Sequence, residues 1–191
     1  MWYSPSTMEL LSDSLGGKLM YIPVHTLRMG WMQHTTLKTE VQTLLNMQHE
    51  VHVVVAAGQN DAQEAVRGIA ILLNASDELK TRFMKRVQKD MVALKESASG
   101  ARLHWCIPWD DPAGEFSQSY LDMVSILKRE VSKEPSTLSL GPFEEWEADN
   151  FHVRLGERRK MAGAIQAWFE GLGNESALPV FDSIRDSLPS D

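Results

Sequence analysis

The chain has 191 residues, 43% of them hydrophobic, and its 26 acidic against 19 basic side chains leave a formal charge of −7. That length supports one sizeable core in a single domain. The acidic balance argues against a protein that neutralises nucleic-acid phosphates, because that affinity comes from Lys and Arg.

Residues 9–11 form a short apolar run that reads as a first strand, and residues 20–26 as a second. Before them, residues 1–8 hold neither a basic stretch nor an apolar run, and nowhere do about 18 uncharged apolar residues follow one another. An intracellular chain without stable membrane insertion is therefore expected. Residues 37–47 place Leu37, Val41, Leu44 and Leu45 on one face, the spacing of a helix with a single buried stripe. The β-branched run Val51 to Val55, in a strand spanning 51–57 and closed by Gly58, reads as the central strand, covered on both faces.

A second amphipathic helix is predicted over 77–98, through Leu79, Phe83, Val87, Met91 and Leu94. A strand over 102–107 follows. It carries the one cysteine, Cys106, which has no partner for an internal disulfide and sits among Leu103, Trp105 and Ile107 as core. Helix 120–131, a weak edge strand at 138–140 and helix 155–172, with Leu155, Met161, Ile165, Trp168 and Phe169, complete the pattern. Residues 174–191 lose periodicity and collect Ser, Pro and Asp, as a loosely packed or disordered tail does. Short apolar runs alternating with amphipathic stretches predict an α/β fold: a three-layer α/β/α sandwich with a mostly parallel sheet, flavodoxin-like, occupying residues 1–173.

Three strings fall at strand ends or helix starts. Ser12-Asp13-Ser14-Leu15-Gly16-Gly17 is an ordinary turn by composition, yet a serine at a sharp strand exit also exposes its Oγ to a base and its amide to an oxyanion. Gly58-Gln59-Asn60-Asp61 reads as a strand terminator with Asp61 capping the next helix; chemically, Asn60 offers a side-chain N–H donor to the same oxyanion. In Asp149-Asn150-Phe151-His152, a carboxylate close to an imidazole holds its Nδ1–H and leaves Nε2 to take a serine proton.

In this order, with an isolated glycine at Gly30 in Leu27-Arg28-Met29-Gly30, the strings resemble the blocks of the SGNH (GDSL-type) hydrolase family, from Glu9 to about Gly171. The resemblance implies a serine esterase with Ser14 as nucleophile, His152 as general base and Asp149 as its orienting partner. It implies an oxyanion hole made of Asn60 and the amides of Ser14 and Gly30. No metal and no cofactor is implied, and the partner is a small-molecule ester, acetyl esters included, met by a monomer. The chain departs from the family in carrying Ser12 where glycine is usual and in the short interval from Ser14 to Gly30. A catalytically degenerate binding or interaction module therefore stays open, as does origin within a polyprotein or mobile-element product.

Outside those strings, His49 and His52 flank a strand start while His25, His34 and His104 lie apart, without Cys partners or a regular ligand spacing, so they read as surface or core histidines. Trp105, Trp109, Asp110 and Asp111 follow the strand over 102–107 at the same sheet edge, where cleft lining and packing are equally open. Arg154, Arg158 and Arg159 read as solvated charge on the last helix.

Overall fold

The computed structural model describes residues 29, 34–48, 50–69, 73–108, 117–139, 141, 144 and 154–171. These fall into two compact units, one holding residues 29–141 and the other residues 144 and 154–171. The strands expected at 9–11 and 20–26 and the tail at 174–191 lie outside the described residues.

In the first unit the order is α1 (His34–Asn46), β1 (His52–Val55), α2 (Gln59–Ala65), α3 (Asp77–Ser97), β2 (Arg102–Cys106), α4 (Gln118–Val131) and β3 (Thr137–Leu138). The three strands pair in the order β1-β2-β3, all parallel, with His52 opposite Arg102, Val55 opposite Trp105 and Cys106 opposite Leu138. A helix crosses over between each consecutive pair of strands, which makes this an α/β fold. No helix among the described residues is long and apolar enough to cross a membrane.

Among the described strands the middle place belongs to β2, not to β1. His104, Trp105 and Cys106 are consecutive and all buried, so β2 is covered on both faces, whereas His52, Val53 and Val54 of β1 are only half-buried. The β-branched run at 51–55 shows that the segment favours extended backbone. It does not say which neighbours flank it.

The helices follow their apolar stripes. Along α3, Phe83, Val87, Met91 and Leu94 are buried at the spacing of one helical face. On α4, Tyr120, Met123, Val124, Leu127 and Val131 do the same, and α3 packs against α4. Both helices begin at a serine whose Oγ accepts a first-turn amide, Ser76 from Leu79 N–H and Ser117 from Tyr120 N–H, each at 3.2 Å. The half-buried carboxylate of Asp122 links them further, accepting from Ala75 N–H at 3.1 Å and pairing with Lys80 at 3.0 Å. Burial alone would raise its pKa, but the bonds from Lys80, Gln118 and Ala75 outweigh that and hold it below the usual value.

Two buried carboxylates are matched in kind. Glu130 of α4 accepts from Lys133 and Gln88, and these bonds overcome the upward push of desolvation to lower its pKa. In the second unit, α5 (Leu155–Gly171) buries Ile165 and the carboxylate of Glu157, which pairs with Lys160 at 2.6 Å. Trp168 is half-buried there and Arg154 exposed.

Candidate functional site

The element that positions a candidate site is the exit from β1. After Val55 the chain runs through residues 56–58 and enters α2 at Gln59. Gly58 stands at the N-cap with φ of 113°, in the left-handed region that glycine enters at no steric cost. Space favours glycine as well: a Cβ built at position 58 lies 2.5 Å and 2.8 Å from the two Cδ atoms of Leu127 and 2.9 Å from Cε of Met29, so these side chains would have to shift. The turn is therefore pressed against α4, and the helix starts at once.

That geometry puts Asn60 in the first turn of α2, half-buried, beyond the carboxyl end of a parallel strand. In open α/β sheets ligands bind beyond that edge. Asp61, expected to cap the helix, does not do so; Gly58 is the N-cap and Asp61 lies inside the first turn. Its carboxylate, 4% exposed, accepts the backbone N–H of Met29 at 2.9 Å across 32 residues of sequence. Arg86 of α3 faces the same carboxylate at 3.6 Å, donates to the Asp61 carbonyl at 3.1 Å and lies over the Phe83 ring. A buried anion at a helix N-terminus with a guanidinium beside it is electrostatically satisfied.

Ser14, Gly30, Asp149 and His152 lie outside the described residues, as do Trp109, Asp110 and Asp111. Trp105, at 1% exposed, is part of the core.

A second constellation escaped the sequence reading. His52 and His104, taken as apart, are neighbours on one face of the β1/β2 pair, because His104 stands opposite Val54, two residues beyond His52. His52 Nδ1 and His104 Nε2 are 2.9 Å apart, His104 Nδ1 lies 2.7 Å from Ser136 Oγ, and His52 Nε2 faces the Glu50 carboxylate at 3.4 Å. Along Ser136, His104 and His52, each ring nitrogen donates or accepts according to its tautomer. Only the parallel register joins these residues. In the sequence His52 is the second residue of its run and His104 the third of its own, so their meeting is read only from the pairing.

Serine on a histidine suggests a nucleophile, yet the base is wrong for the task. Burial first, then the nearby His52 and Arg102, push the His104 pKa down to about 4. A general base works best with a pKa near the operating pH. His104 is accordingly a neutral hydrogen-bonding strut between β1 and the start of β3, whose backbone is also tied to β2 by Trp105 N–H donating to the Ser136 carbonyl at 3.0 Å.

This strut makes stability depend on pH. In the unfolded chain His104 takes a proton near pH 6.5, and in the folded chain near pH 4, so between those values the unfolded state binds more protons and acidification favours it. The contribution is fully present above pH 6.5 and lost as pH falls to about 4, on the order of 3 kcal/mol at about 1.4 kcal/mol per pKa unit. Urea unfolding at half-unit pH steps is expected to show this slope in the wild type and a flatter one in His104→Gln. Equal slopes would show that the imidazole titrates alike in both states.

Among the described residues no group of three or more His, Cys, Asp or Glu is arranged to hold a metal ion. The chain matches no family model, no curated protein and no solved structure in comparisons with known proteins.

Proposed function

We propose that this protein is a serine esterase of the SGNH type, hydrolysing small acyl esters, acetyl esters among them, through an acyl-enzyme. The observation that carries the reading is the Gly58-Gln59-Asn60-Asp61 string: its glycine makes the turn from a parallel strand into a helix, and its asparagine stands in that helix's first turn. This is where an α/β sheet presents ligand-binding groups. The order of the strings around it, Ser12-Asp13-Ser14-Leu15 before and Asp149-Asn150-Phe151-His152 after, supports the same reading. The parallel order of the described strands supports an α/β fold, the class that includes the three-layer sandwich proposed with this reading.

In this mechanism Ser14 Oγ attacks the ester carbonyl while His152 Nε2 takes its proton, with Asp149 holding Nδ1–H. Asn60 and the amides of Gly30 and Ser14 donate to the oxygen that becomes negative, each donor contributing about 3 kcal/mol. The carbon–oxygen bond to the alcohol breaks as His152 returns the proton to the leaving oxygen. Water then attacks the acyl-enzyme with His152 again as base, and the acid leaves as the acyl–Oγ bond breaks and His152 returns the proton to Ser14 Oγ. The partner is a small-molecule ester, and the protein acts as a monomer.

Ser12 in place of the family's glycine favours one other reading, a module that keeps the fold and binds without turnover. Hydrolysis of p-nitrophenyl acetate and butyrate by the purified wild type separates the two. Turnover of either ester supports the esterase; a folded chain that turns over neither ester overturns it.

A further inference from the structure

We infer that Asp61 is a positioning residue that sets the spacing between the oxyanion donors, an inference that rests on the esterase reading above. Asn60 and Gly30 belong to segments far apart in sequence, and donors to an oxyanion act only when held about 2.7 to 3.1 Å from the place that oxygen will occupy. Asp61 is the residue after Asn60, and its Oδ2 accepts the N–H of Met29, the residue before Gly30. One buried carboxylate thus joins the two segments one residue away from each donor.

The bond is braced on both sides. Met29 is 1% exposed, so its amide has an acceptor in Asp61 where water has little access. Arg86 meets the carboxylate at 3.6 Å and the Asp61 carbonyl at 3.1 Å, and its own guanidinium lies 5.4 Å from the centre of the buried Phe83 ring. Side-chain packing adds to this, since Met29 Cε lies only 2.9 Å from where a Cβ on Gly58 would stand. A carboxylate suits the place better than a hydroxyl because it takes the Met29 amide on one oxygen while the other faces the cation.

A residue that merely stabilises the fold would lower the yield of folded protein and leave the rate per folded molecule alone. A positioning residue lowers kcat, leaves KM near its wild-type value, and couples to the donor it positions. Asp61→Ala, checked as folded by circular dichroism, is expected to lose about 10- to 100-fold in kcat on p-nitrophenyl acetate, with KM within about twofold. Asp61→Asn keeps an oxygen for the Met29 amide and is expected to retain kcat within about threefold. Combined with Asn60→Ala, Asp61→Ala is expected to cost much less than the product of the two single losses.

An unchanged kcat in folded Asp61→Ala, or losses that multiply fully, would overturn the inference while leaving the esterase intact. Wild-type protein without turnover would overturn the esterase reading and this inference together. Should Asp61→Ala fail to fold, Arg86→Met carries the test, because it keeps the Met29 bond and removes the cation that holds the carboxylate. It is expected to lose about 3- to 10-fold in kcat and to be non-multiplicative with Asn60→Ala, and wild-type kcat in that variant is the contrary result.

Discussion

Ser14→Ala and His152→Ala are each expected to remove turnover of p-nitrophenyl acetate, by about 10⁴-fold or more, while circular dichroism stays that of the wild type. The two losses have one origin. In the proposed mechanism, without Oγ there is no acyl-enzyme, and without Nε2 the hydroxyl keeps its proton and attacks too slowly to matter. Because nitrophenolate leaves without being protonated, the His152 loss on this substrate measures activation of the nucleophile and not help to the leaving group. Asn60→Ala would remove one of several proposed donors and is expected to cost less, about 10²- to 10³-fold. The ranking is the informative part: nucleophile and base first, asparagine second. Rates in the Ser14 or His152 variants equal to wild type would sink the triad, whatever the wild-type activity.

How far these residues were legible in the sequence depends on the range of the interaction that places them. Helix α3 was read almost to its ends because its signals are local: the stripe Phe83, Val87, Met91, Leu94 repeats along one face, and Ser76 caps the first turn with its own side chain. Strands β1 and β2 were likewise found from runs of extended-favouring residues. Helix α2 was anticipated only through its cap, placed at Asp61 instead of Gly58, since seven residues complete too few turns for a stripe to repeat. The place of β2 between β1 and β3, the meeting of His52 with His104, and the burial of Trp105 all depend on strand pairing. No local pattern carries strand order. In the candidate site the same division holds: Gly58 and Asn60 follow from a string four residues long, whereas the bond from Asp61 to Met29 spans 32 residues and overrode the expected cap.

Gly58→Ala is expected to destabilise the fold by about 4 kcal/mol, from two costs of about 1 to 3 kcal/mol each. The first is backbone: φ of 113° lies in the left-handed region, which a residue with a Cβ occupies only under strain. The second is space. The new methyl would meet both Cδ atoms of Leu127 inside 3 Å, and Leu127 is wholly buried on α4, so it yields only by disturbing the core behind it. Met29, the third neighbour, has a flexible thioether end and gives way more cheaply. Gly68→Ala separates the two costs, because Gly68 also has positive φ, at 87°, but nothing lies within 4 Å of the Cβ it would gain. It is expected to lose only the backbone part, about 1 to 2 kcal/mol. Urea midpoints for the two variants would give the difference directly. Equal losses would mean that Leu127 repacks without cost and that the tight turn from β1 into α2 is held by backbone conformation alone; a larger loss at Gly58 assigns the excess to the seat of this turn against α4, on which the placement of Asn60 depends.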